Sequence, residues 1–228
     1  MSIADKLTTV AENVPKVYKA GQDDLWRGIL NTRTNFSQQF KDWQMEYIRP
    51  LQKITPVTVG SANQMLRGNA LLKVVESAHF DFSQLLTGTS NQEGFYYTFY
   101  GCSALEVIED VGIGESNSIY SFNYTFNGCS KLHTIGKVTV AQTTRYSNTF
   151  NGCNALANIT FGGTIGQNGL NFQWSPLTHD SIMSIINALA DKTTDTSGTN
   201  WVVTLGDSMS QLTDDEKLIA QNKGWDLT

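Results

Sequence analysis

Charge is scarce in this 228-residue chain: Asp, Glu, Lys and Arg together make up 16%, against about 25% in an average globular domain. Hydrophobic residues supply 40% and aromatics 11%, so the polar remainder is not that of a charge-solvated disordered chain. A net charge of −5 and an isoelectric point near 5.1 exclude a general electrostatic grip on phosphate, and no nucleic-acid partner is expected. No apolar run approaches the roughly 18 residues that span a bilayer, so no membrane partner is expected either. The three cysteines are an odd number without a CxxC pair, which speaks against a disulfide framework and a zinc site. His79, His133 and His179 stand far apart without ligand spacing, so neither a metal nor a cofactor is expected. Met1 to Leu7 has a helical pattern with an acid in it, not a basic stretch leading into an apolar one. The expectation is folding in the cytosol rather than export by a signal peptide.

What the chain has is an internal repeat. Phe99-Tyr100-Gly101-Cys102 leads to Leu105 and Ile108, Phe126-Asn127-Gly128-Cys129 to Leu132 and Ile135, and Phe150-Asn151-Gly152-Cys153 to Leu156 and Ile159, with Thr98, Thr125 and Thr149 in front. The Cys-to-Cys steps are 27 and 24 residues. Two degenerate copies flank these. Leu66-Arg67-Gly68-Asn69 precedes Leu72 and Val75, and Phe172-Gln173-Trp174-Ser175 precedes Leu177. Each unit is too small to bury its apolar residues alone, whereas stacked units bury them against their own copies. The pattern predicts a Phe99–Phe126–Phe150–Phe172 ladder and a Leu72–Leu105–Leu132–Leu156 ladder. Cys102, Cys129 and Cys153 would form a third column of small buried apolar residues. Gly before each Cys predicts a tight turn.

These motifs resemble the leucine-rich repeats of the BspA-like type, over about residues 62–177. The resemblance implies an α/β fold, a short leucine-rich-repeat solenoid with one short parallel strand per repeat. The flanks resemble a narrower family of gut-phage and prophage proteins. The residues that carry this are Ala11-Glu12-Asn13, Lys16-Val17-Tyr18, Arg33-Thr34-Asn35-Phe36 and Tyr47-Ile48-Arg49-Pro50 at one end, and Thr213-Asp214-Asp215-Glu216-Lys217 and Asn222-Lys223-Gly224-Trp225 at the other. Members are usually regarded as structural or tail-region virion proteins. The implied organisation is an N-terminal helical attachment segment (1–60), the solenoid (61–177) and a C-terminal helix-strand-helix cap (178–228).

Ile3, Leu7, Val10, Val14 and Val17 follow a 4-3-4-3 spacing, the apolar seam of a coiled coil, which Pro15 is expected to break or kink near Asn13-Val14 and Gly21 to end. This assembly seam either docks on the chain's own repeats, self-associates into a homo-oligomer, or docks on another virion protein. Phe36, Phe40, Trp43 and Tyr47 are spaced 4-3-4, which predicts a helix with an aromatic face. That face either covers the open end of the first repeat or meets a partner. Near the other terminus, Thr178 starts a predicted helix with Ile182, Ile185, Ile186 and Leu189 on its apolar face. Trp201–Leu205 is a predicted strand, and Thr213 to Glu216 is a capping box opening a second helix. Asp180, Asp214, Asp215 and Glu216 are accounted for by helix N-terminal electrostatics.

Candidate binding residues fall in two sets. Residues between Leu and Ile in each repeat point outward from the strand: Glu106 and Val107, His133 and Thr134, Ala157 and Asn158. Of these, Glu106, His133 and Asn158 are the polar candidates. Before each repeat lies an aromatic cluster. Strand alternation places Phe95, Tyr97, Phe122, Tyr124 and Tyr146 inward, leaving Tyr96 and Tyr120 as exposed candidates suited to sugar or protein contacts. No paired carboxylates or nucleophile–base set emerges, so no enzymatic activity is expected. The expected function is that of a phage virion structural protein of the tail or baseplate, made in the host cytoplasm. It would bind other virion proteins and a host-surface glycan or protein. The alternative is a bacterial cell-surface adhesin built on the same repeats.

Overall fold

The computed structural model describes residues 35–44, 46, 53–58, 60, 62–86, 90, 92–115 and 119–228. The seam Ile3, Leu7, Val10, Val14 and Val17 lies outside the described residues. The fold is mixed α/β. Four strands, β1 (Val74–Val75), β2 (Val107–Ile108), β3 (Thr134–Val140) and β4 (Asn158–Gly163), form one parallel sheet in chain order. Val74 pairs with Val107, Val107 with Thr134, and Thr134 with Asn158, so each copy of the repeat contributes the equivalent residue to the same row. Helix α1 (His179–Ala188) packs on β4. It is followed by β5 (Val202–Val203), a 3₁₀ helix (Gly206–Gln211), α2 (Asp214–Gln221) and β6 (Asp226–Leu227), which pairs in parallel with β5. The capping box at α2 is formed in both directions between Thr213 and Glu216.

The aromatic half of each repeat is not a strand but a run of tight turns. A left-handed residue recurs four positions apart in each copy: Tyr97 and Gly101 have φ of 57° and 72°, Tyr124 and Gly128 57° and 78°, and Asn148 and Gly152 52° and 79°. In this conformation every second N–H points along the stack. Tyr97, Phe99 and Gly101 donate to the carbonyls of Asn123, Thr125 and Asn127 at 3.2, 2.9 and 2.8 Å. Tyr124, Phe126 and Gly128 donate in the same way to Ser147, Thr149 and Asn151 at 2.9, 3.0 and 2.8 Å. The intervening N–H groups close turns within their own copy, as Cys102 does on Phe99 O at 3.1 Å. Backbone donors are thus satisfied without a helix or a strand. Glycine is required at position 152: besides its positive φ, a Cβ there would stand 3.3 Å from the Gly128 backbone.

Side chains stitch the copies in the opposite direction. The hydroxyls of Thr98, Thr125 and Thr149 donate to the carbonyls of Ala62, Phe95 and Phe122 at 2.8, 2.8 and 2.9 Å. The thiols of Cys102, Cys129 and Cys153 donate to Leu66, Phe99 and Phe126 at 3.2, 3.1 and 3.1 Å. Asn69, at the Cys position of its copy, reaches Phe40 O with its amide at 2.6 Å. The cysteines are therefore buried donors as well as small apolar fillers. The Phe ladder is present: Phe99–Phe126, Phe126–Phe150 and Phe150–Phe172 stack at 5.5, 5.5 and 4.5 Å between ring centroids. Leu72, Leu105, Leu132 and Leu156 are all fully buried.

Two expectations need correction. Residues 36–43 are not helical. Gln38, Phe40 and Asp42 donate to Asn63, Met65 and Arg67 at 3.0, 3.0 and 2.7 Å, the same ladder as in the clear repeats, with φ of 56° at Gln38 and 59° at Asp42. Phe40 thus sits in the column of the repeat Phe. The described part of the N-terminal segment is a further copy of the turn unit, not the predicted aromatic helix. Tyr97 and Tyr124 are half-exposed rather than inward, because alternation holds for extended backbone and these residues are left-handed. One continuous buried cluster runs from Phe36 to Trp225.

Truncating Phe126 to Ala removes a ring stacked on both sides in a fully buried column. The expected loss is about 3–5 kcal/mol of unfolding free energy, measured by chemical denaturation. A loss below about 1 kcal/mol would show that the column does not carry the fold.

The thiols of Cys102 and Cys153 are pushed up to about 12 by burial, and burial holds that of Cys129 well above its ordinary value. Thiolate, not thiol, is the reactive form. In a thiol-disulfide colour assay at pH 8, all three are expected to stay silent in the native protein and to react together on addition of denaturant. Rapid labelling of any one without denaturant would contradict their place in the interior.

Candidate functional site

The turn ladder projects two rows of side chains outward. One row holds Gln64, Tyr97, Tyr124 and Asn148, the other Arg67, Tyr100, Asn127 and Asn151, each row one residue per copy. The Tyr97 and Tyr124 rings stack at 4.7 Å and 14°. Tyr100 lies 4.8 Å from Tyr97, and the Arg67 guanidinium sits over both, 4.9 and 5.2 Å from the centroids. Burial, and then the neighbouring Tyr96, Tyr124 and Tyr100, raise the Tyr97 phenol above its ordinary value. Tyr96 joins this patch edge-on to Tyr97 at 4.5 Å. Tyr120 stands further along the same side. Its hydroxyl accepts from Arg145 Nε at 3.0 Å, and the guanidinium covers its ring at 5.3 Å.

Beyond the tyrosines the rows become amides and border a cleft of about 450 Å³. Asn148 and Asn151 line one side, Asn171 and Gln173 the other, and no lining residue carries a charge. Asn168 fixes the wall: its amide N–H donates to Asn200 O at 2.8 Å, and its amide oxygen accepts from the Val202 N–H at 2.9 Å. The Asn171 amide oxygen accepts from the Gln173 N–H at 2.9 Å. Trp174 stands at the cleft with 67% of its surface exposed. A second hollow of about 520 Å³ shares Ser147, Asn168 and Gly169 with the first and reaches Arg145, so the depression runs on towards Tyr120.

The other predicted residues lie in the sheet rows. The His133 N–H donates to Glu106 O at 3.0 Å, and the Asn158 N–H to His133 O at 3.1 Å, which brings Glu106, His133 and Asn158 onto neighbouring positions. Glu106 in turn follows Lys73, which is ion-paired with Glu46, so this column alternates in sign. Asn158 lines a dent of about 340 Å³ with Thr134, Thr160 and Asp180. Tyr96 flanks the turn rows beside Tyr97, and Tyr120 lies beside Arg145, so the five residues form two groups, matching the two sets expected from the sequence. Sequence reasoning missed Trp174 and the amides around it. The available signal was a Trp standing where the clear repeats have Gly. Among the described residues no group of three or more His, Cys, Asp or Glu is arranged to hold a metal, and no helix is long and apolar enough to cross a membrane.

Comparison with known proteins finds no matching family model, no matching curated protein and no matching solved structure.

The Tyr97–Tyr124 stack is expected to stabilise the ridge. A double-mutant cycle of Tyr97→Ala and Tyr124→Ala, read by denaturant unfolding, should give a coupling of about 0.5–1.5 kcal/mol. Simple additivity would mean that the two rings are solvated neighbours only.

Proposed function

We propose that this chain is a non-catalytic virion protein of the phage tail region, a leucine-rich-repeat solenoid of the BspA-like type that presents one rigid side to a partner or host surface. The observation that carries the reading is the uncharged amide-lined cleft beside exposed Trp174, continued by the tyrosine rows. The repeat motif and its stacked Phe, Thr and Cys columns support the solenoid assignment. The cleft lining supports binding over catalysis. It offers hydroxyls and amides, with no carboxylate, imidazole or thiol to act as acid, base or activated nucleophile. The three thiols lie in the interior. Aromatic and amide side chains on a fixed backbone suit recognition, because they supply contact area and hydrogen bonds at low ordering cost. Attachment to other virion proteins falls to the N-terminal segment in this reading.

Immunogold electron microscopy of particles purified from a producing host tests the proposal. Label at the tail or baseplate is the expected outcome. Label confined to the capsid would overturn the tail position, and label on the surface of producing cells without particles would favour the adhesin.

A further inference from the structure

We propose that the cleft at Trp174 is a binding site for a neutral oligosaccharide, with the indole as its stacking platform. This rests on the reading of the chain as a binding protein and names the ligand class of its cleft. Three features of the site support it.

The first is how Trp174 is held. Its neighbours in sequence are anchored: the Phe172 N–H donates to Thr204 O at 2.7 Å, and Phe172 is buried in the ring column. On the other side, buried Ser175 donates its hydroxyl to Cys153 O at 3.0 Å. The exposed indole therefore stands on a fixed backbone. A fixed, exposed indole offers a flat apolar face at low ordering cost, to which a ligand with an apolar face of its own is complementary. The C–H face of a pyranose ring is such a face.

The second is the polar complement. An amide side chain offers two donors and an acceptor with two lone pairs on adjacent atoms, which matches a pair of neighbouring sugar hydroxyls. Around Trp174 the amides of Asn151, Gln173 and Asn200 make no side-chain hydrogen bond to the described residues, while Asn168 and Asn171 are tied to backbone and hold the walls. Free amides on tied walls form a preorganised polar surface. The lining beside Trp174 is uncharged, which there selects against uronic acids, sialic acids and phosphosugars, for which an Arg or Lys is the usual partner; in the continuation Arg145 is engaged by the Tyr120 hydroxyl and ring.

The third is shape. A concave cleft of about 450 Å³ is in the range of small-ligand sites, whereas a folded protein partner needs roughly 800 Å² of each surface. The continuation past Ser147 and Gly169 towards Arg145 lengthens the depression, so a chain of sugars fits it better than a monosaccharide.

The test is binding of the full chain to neutral hexasaccharides of glucose, mannose, galactose and N-acetylglucosamine, followed by tryptophan fluorescence and isothermal titration. At least one is expected to bind and to alter indole emission. Trp174→Ala should weaken that affinity at least about tenfold, Trp174→Phe should restore most of it, and Asn151→Ala should weaken it with Trp174 intact. Unchanged melting temperatures would show that the variants fold. Failure of all four oligosaccharides to bind, or equal binding by Trp174→Ala, would overturn the site, even if a peptide or protein bound there. The two readings fail separately: tail labelling without sugar binding would remove only the glycan site. Sugar binding by a protein absent from particles would remove only the virion assignment.

Discussion

The structure depends on a turn unit with left-handed residues four positions apart, in which every second N–H of one copy reaches a carbonyl of the next. Tyr97, Phe99 and Gly101 donate to Asn123, Thr125 and Asn127, and the pattern recurs on either side. The residue types of the motif follow from this. Gly occupies a left-handed position, and at Gly128 and Gly152 the backbone of the preceding copy's glycine also passes within van der Waals distance of where a Cβ would stand. Thr and Cys carry short donors that reach a carbonyl of the preceding copy. Phe fills the space enclosed by the turns and stacks on its equivalent. The motif is therefore a hydrogen-bonding scheme as much as an apolar one. Asn69 fits the Cys column because an amide serves as the donor there too.

The same stacking accounts for the scarcity of charge. Neighbouring strands lie about 4.8 Å apart, so a repeated side chain meets its own copy at close range. Like charges at that spacing repel, whereas amides, hydroxyls and phenols can stack or hydrogen-bond. One charged column alternates in sign, Glu46, Lys73 and Glu106, whereas Glu76 and Glu109 share a row with like charge, and burial and then Glu109 raise the Glu76 carboxyl above its ordinary value. The alternating column gives Glu106 a structural explanation alongside any role in binding. The stacking also means that the outward surface of the repeats is poor in charge for a reason internal to the fold, and that a partner suited to the amide and tyrosine rows is one recognised by hydrogen bonds and rings.

Much of this was legible in the sequence where the motif is intact. Phe99, Phe126 and Phe150 at fixed distance from Gly and Cys define the column, and Thr213 with Glu216 defines the start of α2. Legibility ended where one spacing serves two geometries. Phe36, Phe40 and Trp43 are spaced as on a helix, yet a chain of three-residue turns produces similar intervals. At Phe40 the copy also lacks the Thr, Gly and Cys that mark the others, because Asp42 takes the left-handed position and Trp43 the Cys position. Tyr97 and Tyr124 were misplaced by parity, since alternation of faces presupposes extended φ and theirs is 57°. The motif itself separates Glu106, His133 and Asn158, between Leu and Ile, from Tyr96 and Tyr120 in the aromatic half of the repeat, and the structure keeps those two sets apart. Trp174 was hidden inside a degenerate copy, where its departure from Gly looked like loss of the motif.

That departure explains where the cleft lies. A strictly periodic stack presents flat rows, and concavity requires a break in the period. At Cys153 the thiol still reaches Phe126 O, but at Ser175 the hydroxyl reaches Cys153 O instead of the carbonyl of the preceding Phe. The partner of Phe172 N–H is Thr204, beside β5, rather than a further turn unit. Asn171 meets Thr204 in an isolated parallel bridge, and Asn168 ties the intervening loop to Val202. The repeat thus hands over to the helix-strand-helix elements along the line where Asn148, Asn151, Trp174 and Asn200 face one depression. A degenerate last copy is ordinary in repeat proteins, which must end their open core. Here the ending also breaks the flat rows, so the concave site is a consequence of closing the stack.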